Sequence, residues 1–242
     1  MTYCLAIKVN QGLVFCSDSR TNAGPDRVST YSKLHRFKVG GDRRIFMLSA
    51  GNLATTQAVV AEVARDIENS APNGLADARY VSEIADYVGQ VSVRTQQKYV
   101  NSGPMGGFNA EATFILGGQI KGHEPELYMI YPEGNHITTS KSYPFLQIGE
   151  TKYGKPILDR IIRSDTDYET AMRCALVSMD STMRSNATVA PPIELLYCPA
   201  DSLDNPSKYF CFEENDDYLV GLRKGWDENI VRAFNDLPGL AL

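Results

Sequence analysis

A chain of 242 residues with 43% hydrophobic and 22% charged residues is long enough to bury a substantial core, as one large domain or two small ones. Its net charge of −5 argues against nucleic-acid binding, which normally shows a basic footprint. No apolar run approaches the roughly 18 residues that span a membrane, and no basic region followed by an apolar stretch marks the N-terminus for secretion. Five cysteines (Cys4, Cys16, Cys174, Cys198 and Cys211) form no CxxC pair and are odd in number. They read as buried free thiols in a reducing compartment, so a soluble cytoplasmic protein is expected.

The chain begins with two strand-like runs. Thr2–Val9 and Leu13–Ser17 flank the turn signal Asn10-Gln11-Gly12 and read as a hairpin. Ser19–Ser32 is polar, with Gly24-Pro25-Asp26 marking a loop. Leu34–Val39 and Arg44–Leu48 form a second hairpin across Gly40-Gly41-Asp42. At Ser49-Ala50-Gly51 the period changes. Val60, Val63, Ala64 and Ile67 lie on one helix face, and Val81, Ile84, Ala85, Val88 and Val91 on another that runs to about Tyr99.

The Gly-rich stretch Gly103–Phe108 follows. It lacks the GK[ST] ending of a phosphate loop and reads as a connection. Short strands are expected at Thr113–Gly117, Leu127–Tyr131, His136–Thr139 and Phe145–Ile148. Helical spacing returns at Ile157, Leu158, Ile161 and Ile162, then along Met172, Ala175, Leu176, Met179 and Met183. Ile193–Cys198, Tyr209–Phe212 and Tyr218–Leu222 read as strands, and residues 226–237 as a closing helix with Trp226, Ile230 and Phe234 on one face.

Helices in adjacent pairs between runs of strands do not suit a parallel βαβ sheet. They predict an α+β protein with two antiparallel sheets stacked between helical layers. No linker or repeat interrupts the chain, so residues 1–242 are expected to form a single domain.

Thr2, the run LVFCSDSRTNAG (13–24), Lys33-Leu34 and SAGNLATTQ (49–57) together resemble the proteasome β-subunit family. The stretch IGETKYGKPILDRII (148–162), the length and the extended C-terminus are similar to its bacterial Anbu branch. The resemblance implies a four-layer αββα fold of the N-terminal nucleophile hydrolases and a self-compartmentalised oligomer, ring or spiral. It implies a threonine-dependent peptidase in which removal of Met1 exposes Thr2, with a peptide or amide as substrate. Asp18, Lys33 and Gly51 would complete the catalytic set, and Asn22 and Ser49 would line the substrate cleft. ATP-grasp and transglutaminase-like proteins are candidate partners by family analogy.

Three departures from the family pattern stand out. The Asp18-to-Lys33 spacing is one residue shorter than in the proteasome proper, so the intervening loop is expected to differ. Gly149-Glu150-Thr151 occupies the place of a Gly-Ser-Gly, and the later Asp-x-x-Ser pair has no clean match, although Asp180, Ser181 and Ser185 lie in that region.

The chemistry of such a site follows from its groups. A threonine hydroxyl needs a base, and an α-amine titrating near about 7.7–8.0 supplies one on the same residue. A lysine ammonium titrates near about 10.4, and a neighbouring aspartate stabilises its charged form. Lys33 is therefore read as a fixed positive charge that lowers the amine's pKa, oriented by Asp18; a proton relay through Lys33 is the alternative. The Gly51 N–H, expected at the start of the first helix, is the candidate oxyanion donor.

Taken singly, these residues read as a frayed terminus, a turn residue and a solvated charge. Only their combination points to catalysis. No cofactor or metal is expected, because His35, His123 and His136 lack ligand spacing. Two other readings share the scaffold: an amidohydrolase of a small amide, and a non-catalytic assembly subunit.

Overall fold

A computed structural model describes residues 1–22, 28–72, 74–102, 109–203 and 207–240; for Asn22, Val28, Asn101 and Ser102 only the backbone is described. The first hairpin pairs β1 (Tyr3–Val9) with β2 (Gly12–Asp18), Cys4 opposite Ser17 and Val9 opposite Gly12. These strands are apolar on both faces, because both faces are covered. Successive side chains of a strand point to opposite sides. Tyr3, Leu5, Ile7 and Val9 pack on one side of the sheet, with Val14 and Cys16. Cys4, Ala6, Leu13 and Phe15 pack on the other.

The hairpin is the centre of a five-stranded sheet. β10 (Phe145–Gly149) joins β1, β11 (Ile193–Pro199) joins β2, and β12 (Lys208–Phe212) forms the far edge. A second five-stranded sheet runs in the order β5 (Leu34–Phe37), β6 (Arg43–Gly51), β7 (Ala112–Ile120), β8 (Glu126–Ile130) and β9 (His136–Thr138). Every pairing in both sheets is antiparallel.

The sheets face each other across Cys4, Ala6, Leu13, Phe15, Phe46, Leu48, Ile115 and Leu196. Burying a side chain the size of Phe15 contributes about 1.5–3 kcal/mol. The outer face of the second sheet is covered by α1 (Leu53–Glu68) and α2 (Val81–Ser102), through Val59, Val63, Ile84, Val88 and Val91. The first sheet is covered by α3 (Thr151–Ile161) and α4 (Tyr168–Ser185), through Leu158, Cys174, Ala175 and Met179. The architecture is the four-layer αββα sandwich.

The structure differs from the sequence reading in two places. The segment Ser19–Ser32 is not all loop: β3 (Arg20–Asn22) pairs with β4 (Val28–Thr30) as a separate two-stranded ribbon, Arg20 opposite Thr30. A small ribbon that adds no described side chain to the apolar clusters has no apolar alternation to announce it. The Gly24-Pro25-Asp26 and Gly103–Phe108 stretches lie outside the described residues.

The second difference is at the C-terminus. Tyr218–Leu222 is not a strand but part of α5 (Asp217–Asn235), which starts well before the 226–237 helix that periodicity suggests. Asp216 caps it, accepting the Tyr218 N–H at 2.9 Å. Tyr218 and Val220 are exposed while Leu219 and Leu222 pack on the core, a helical spacing that a five-residue aromatic and branched run disguises as strand. Among the described residues no helix is long and apolar enough to cross a membrane.

Candidate active site

The end of β2 places Asp18 at the rim of the first sheet, fully buried. One carboxylate oxygen, Oδ1, accepts the Lys33 ammonium at 2.7 Å and the Tyr3 N–H at 3.0 Å. Burial pushes the Asp18 carboxyl above the ordinary aspartate range, and the adjacent Lys33 charge and the two hydrogen bonds pull it back. The Ala190 N–H also helps to lower it; among the described residues neither the other oxygen, Oδ2, nor the neighbouring Ser17 hydroxyl has a partner within full hydrogen-bond geometry.

Lys33 precedes β5 on the facing sheet, 6% exposed. Its Nζ donates also to the Arg20 carbonyl at 2.8 Å, so two of its three protons are fixed. The ion pair therefore bridges the two sheets and points one way only.

Thr2 stands just outside β1. Its carbonyl accepts the Glu150 N–H at 2.8 Å. Gly149, at φ +83°, lets that carbonyl approach: a Cβ there would collide with the Thr2 oxygen. The Tyr3 hydroxyl is buried against the Ser178 hydroxyl of α4 at 2.7 Å and receives Gln147 Nε2 at 2.6 Å. Thr2 is thus pinned from both sides by its neighbours, and Met1 beyond it is 62% exposed.

A cavity of about 390 Å³ opens beside Thr2 between β5, β6 and α1, with Thr21, Lys33, His35, Ser49 and Gly51 among its walls. Gly51 is the last residue of β6, at φ +111°, with a Cβ excluded by the Glu111 carbonyl; the helix starts after it, at Leu53, capped by Asn52. Asn22 contributes its backbone to β3, paired with Val28. Asp180, Ser181 and Ser185 are on α4, where Asp180 accepts Arg223 Nε of α5 at 2.6 Å; that pair joins two helices.

The structure thus brings Thr2, Lys33, Ser49 and Gly51 to one cavity and anchors Lys33 on Asp18. Among the described residues no group of three His, Cys, Asp or Glu is placed to hold a metal ion.

Two neighbours were not singled out by the sequence. His35 lines the cavity with its Nε2 3.1 Å from the Ser49 hydroxyl. The strand period puts it on the same side as Lys33, two residues earlier, and that is the signal that marks it. The other is Glu194, a lone charge within the apolar run Ile193–Cys198.

Burial lowers the His35 pKa to about 4 against a model-compound value of 6.5. As pH falls, the unfolded chain takes up this proton first, so the stability it supports is complete above 6.5 and lost toward 4. About 2 kcal/mol should disappear between pH 8 and pH 5 on this account. Urea unfolding of wild type and His35→Asn at both pH values checks it: the variant should lose less by that difference.

Residues 2–197 match the proteasome subunit family. The fold is shared with solved structures of Anbu (ancestral beta-subunit) from Yersinia bercovieri, at 42% identity, TM-score 0.92 and full coverage of both chains. Anbu from Hyphomicrobium sp. strain MC1 is 39% identical, with TM-score 0.89, again over the whole of both. A structure described as the helical assembly of the Anbu complex from Pseudomonas aeruginosa is 41% identical over 99% of this chain and 98% of that one, with TM-score 0.92. Among curated proteins there is no match. By sequence and by fold together, this chain belongs to the proteasome subunit family, in its Anbu branch.

Proposed function

We propose that the chain is a threonine-dependent hydrolase subunit of the proteasome type, acting on peptide or amide bonds once Met1 has been removed. The supporting observation is the position of Thr2 in a cavity shared with Lys33, itself locked on the buried Asp18.

Removal of Met1 gives Thr2 an α-amine titrating near about 7.7–8.0, which Lys33's positive charge lowers further. This amine takes the hydroxyl proton as Oγ1 attacks the substrate carbonyl. The Gly51 N–H receives the developing oxyanion. Collapse of the tetrahedral species expels the substrate amine, which takes the proton, and leaves an ester on Thr2. Water hydrolyses the ester with the same amine as base. Backbone groups of Asn22 and Gly51 would pair an extended substrate as an added strand, its side chain entering the cavity toward Ser49 and His35.

Intact-mass measurement of protein from its native host tests the first requirement. A mass beginning at Thr2 is expected, and Met1 retained would exclude this chemistry and favour a non-catalytic assembly role. A mature protein that hydrolyses small amides but no peptide would select the amidohydrolase reading.

Self-association into an open or closed oligomer completes the proposal, supported by the helical assembly of the Pseudomonas relative. Trp226 and Leu222 pack on the core, but Ile230, Val231, Phe234 and Leu237 beyond them are 49%, 58%, 71% and 61% exposed. A second copy of the chain would cover this face. Ending the chain at Glu228 keeps Trp226 and the Arg184–Asp227 pair and should lower the oligomer's mass in sedimentation while leaving a folded subunit. An unchanged mass would place the contact elsewhere.

A further inference from the structure

We propose that Glu194 is a positioning residue for the Lys33–Asp18 pair, tying the residue that follows Asp18 to the residue that precedes Lys33. The inference rests on the catalytic reading of Thr2 and adds a residue to it.

Glu194 lies on β11, opposite Ser17 of β2, with Ile193 opposite Asp18. The residue is buried, 5% exposed. Oε2 accepts the Ser32 hydroxyl at 2.7 Å and the Ser19 hydroxyl at 3.3 Å; Oε1 accepts the Tyr209 hydroxyl of β12 at 2.8 Å. Ser19 and Ser32 are the first and last residues of the excursion from Asp18 to Lys33, which carries the β3–β4 ribbon. One carboxylate thus closes the base of the excursion.

The Ser32 hydroxyl has a second acceptor, the Leu34 carbonyl at 3.0 Å, but only one proton. The shorter, charge-assisted contact to Glu194 is the stronger of the two and takes it. Two backbone-based ties cross the same gap, Tyr31 N–H to the Ser19 carbonyl at 2.9 Å and Lys33 Nζ to the Arg20 carbonyl at 2.8 Å. Glu194 is the only side chain, among the described residues, found bonded to both ends.

A buried carboxylate with no cation is costly unless its hydrogen bonds are met. Among the described residues no ion pair involves Glu194; Arg36, the nearby guanidinium, sits 4.1 Å over the Tyr209 ring. A neutral side chain would hold β11 to β12 without that cost. The retained charge goes where it aligns Ser32, and through the next peptide it sets where the Lys33 stem leaves the chain. An ångström of misplacement at a catalytic group lowers a rate by as much as about 10²-fold.

The bland reading is that Glu194 merely joins the edge strand through Tyr209. The two arms can be cut separately. Thr2 capture by an electrophilic peptide β-lactone, followed by intact mass across probe concentrations, separates the limiting rate from the binding constant. Ser32→Ala should lower the limiting rate about tenfold with binding unchanged, and Tyr209→Phe should alter neither.

Glu194→Ala should lose at least as much as Ser32→Ala, and Glu194→Gln, which keeps an acceptor for Ser32 but not the charge that favours it over the Leu34 carbonyl, should recover only part of the loss. Ser32→Ala decides alone if Glu194→Ala does not fold. A wild-type limiting rate in Ser32→Ala, or an equal loss in Tyr209→Phe, overturns the proposal. A mature wild type that is not captured at Thr2 overturns the catalytic reading itself, and this inference with it; the two failures are told apart by the wild-type control.

Discussion

Thr2→Ala is expected to abolish turnover, by about 10⁴-fold or more on the precedent of other catalytic nucleophiles, while assembly and fold persist. The substitution removes one hydroxyl and a methyl from a residue whose carbonyl, not its side chain, makes the structural bond to Glu150. Alanine is also small enough as second residue for methionine removal, so the amine survives. Lys33→Ala should be nearly as inactive, because it removes the charge beside the amine and strands Asp18. The double variant should be no worse than the poorer single one, since groups acting as a unit share their effect.

Lys33→Arg separates the two roles left open for the lysine. It keeps the positive charge but cannot deprotonate near neutral pH. Measurable turnover in Arg where Ala has none supports a purely electrostatic lysine; Arg as inactive as Ala, in a folded protein, supports the relay. A wild-type rate in Thr2→Ala would place the nucleophile elsewhere and sink the assignment.

The second large effect is on stability. Asp18→Ala should cost about 3–5 kcal/mol, because it leaves the Lys33 ammonium buried with only the Arg20 carbonyl for an acceptor. Asp18→Ala combined with Lys33→Met should recover part of that loss: neither charge then remains in the interior, but alanine is smaller than aspartate and the Tyr3 N–H still lacks its acceptor. Urea unfolding at one fixed protein concentration, which an oligomer requires, gives both numbers. A double variant as unstable as the single one would show that Asp18 acts through Tyr3 rather than through Lys33. If both outcomes hold, the ion pair adds little stability over apolar residues, and its retention is explained by the chemistry.

What the sequence by itself determined is the set of layers and the first candidates of the site. Long apolar runs such as Tyr3–Val9 and Arg43–Gly51 mark themselves as strands by continuity, because both faces are buried, whereas the α1, α2 and α4 faces repeat at helical spacing because one face of each is covered. Thr2, Asp18, Lys33 and Gly51 became candidates through the resemblance to the proteasome β-subunits, not through period or spacing. The elements that failed were those whose sequence does not carry their packing. The β3–β4 ribbon adds no described side chain to the apolar clusters, and Tyr218–Leu222 holds a helix whose start depends on the Asp216 cap and on which two of its side chains find the core.

The tertiary structure alone decided which residues meet. That Asp18 Oδ1 receives Lys33 and Tyr3 together, that His35 reaches Ser49, and that Asp180 turns to Arg223 are contacts between residues of different elements. Spacing along the chain constrains such contacts weakly, because strand register and the stacking of two sheets set the distances. Glu194 shows this most directly. In the sequence it is one acid in an apolar strand; only the pairing of β11 with β2 carries it 162 positions back to Ser32, at the base of the segment that holds Lys33.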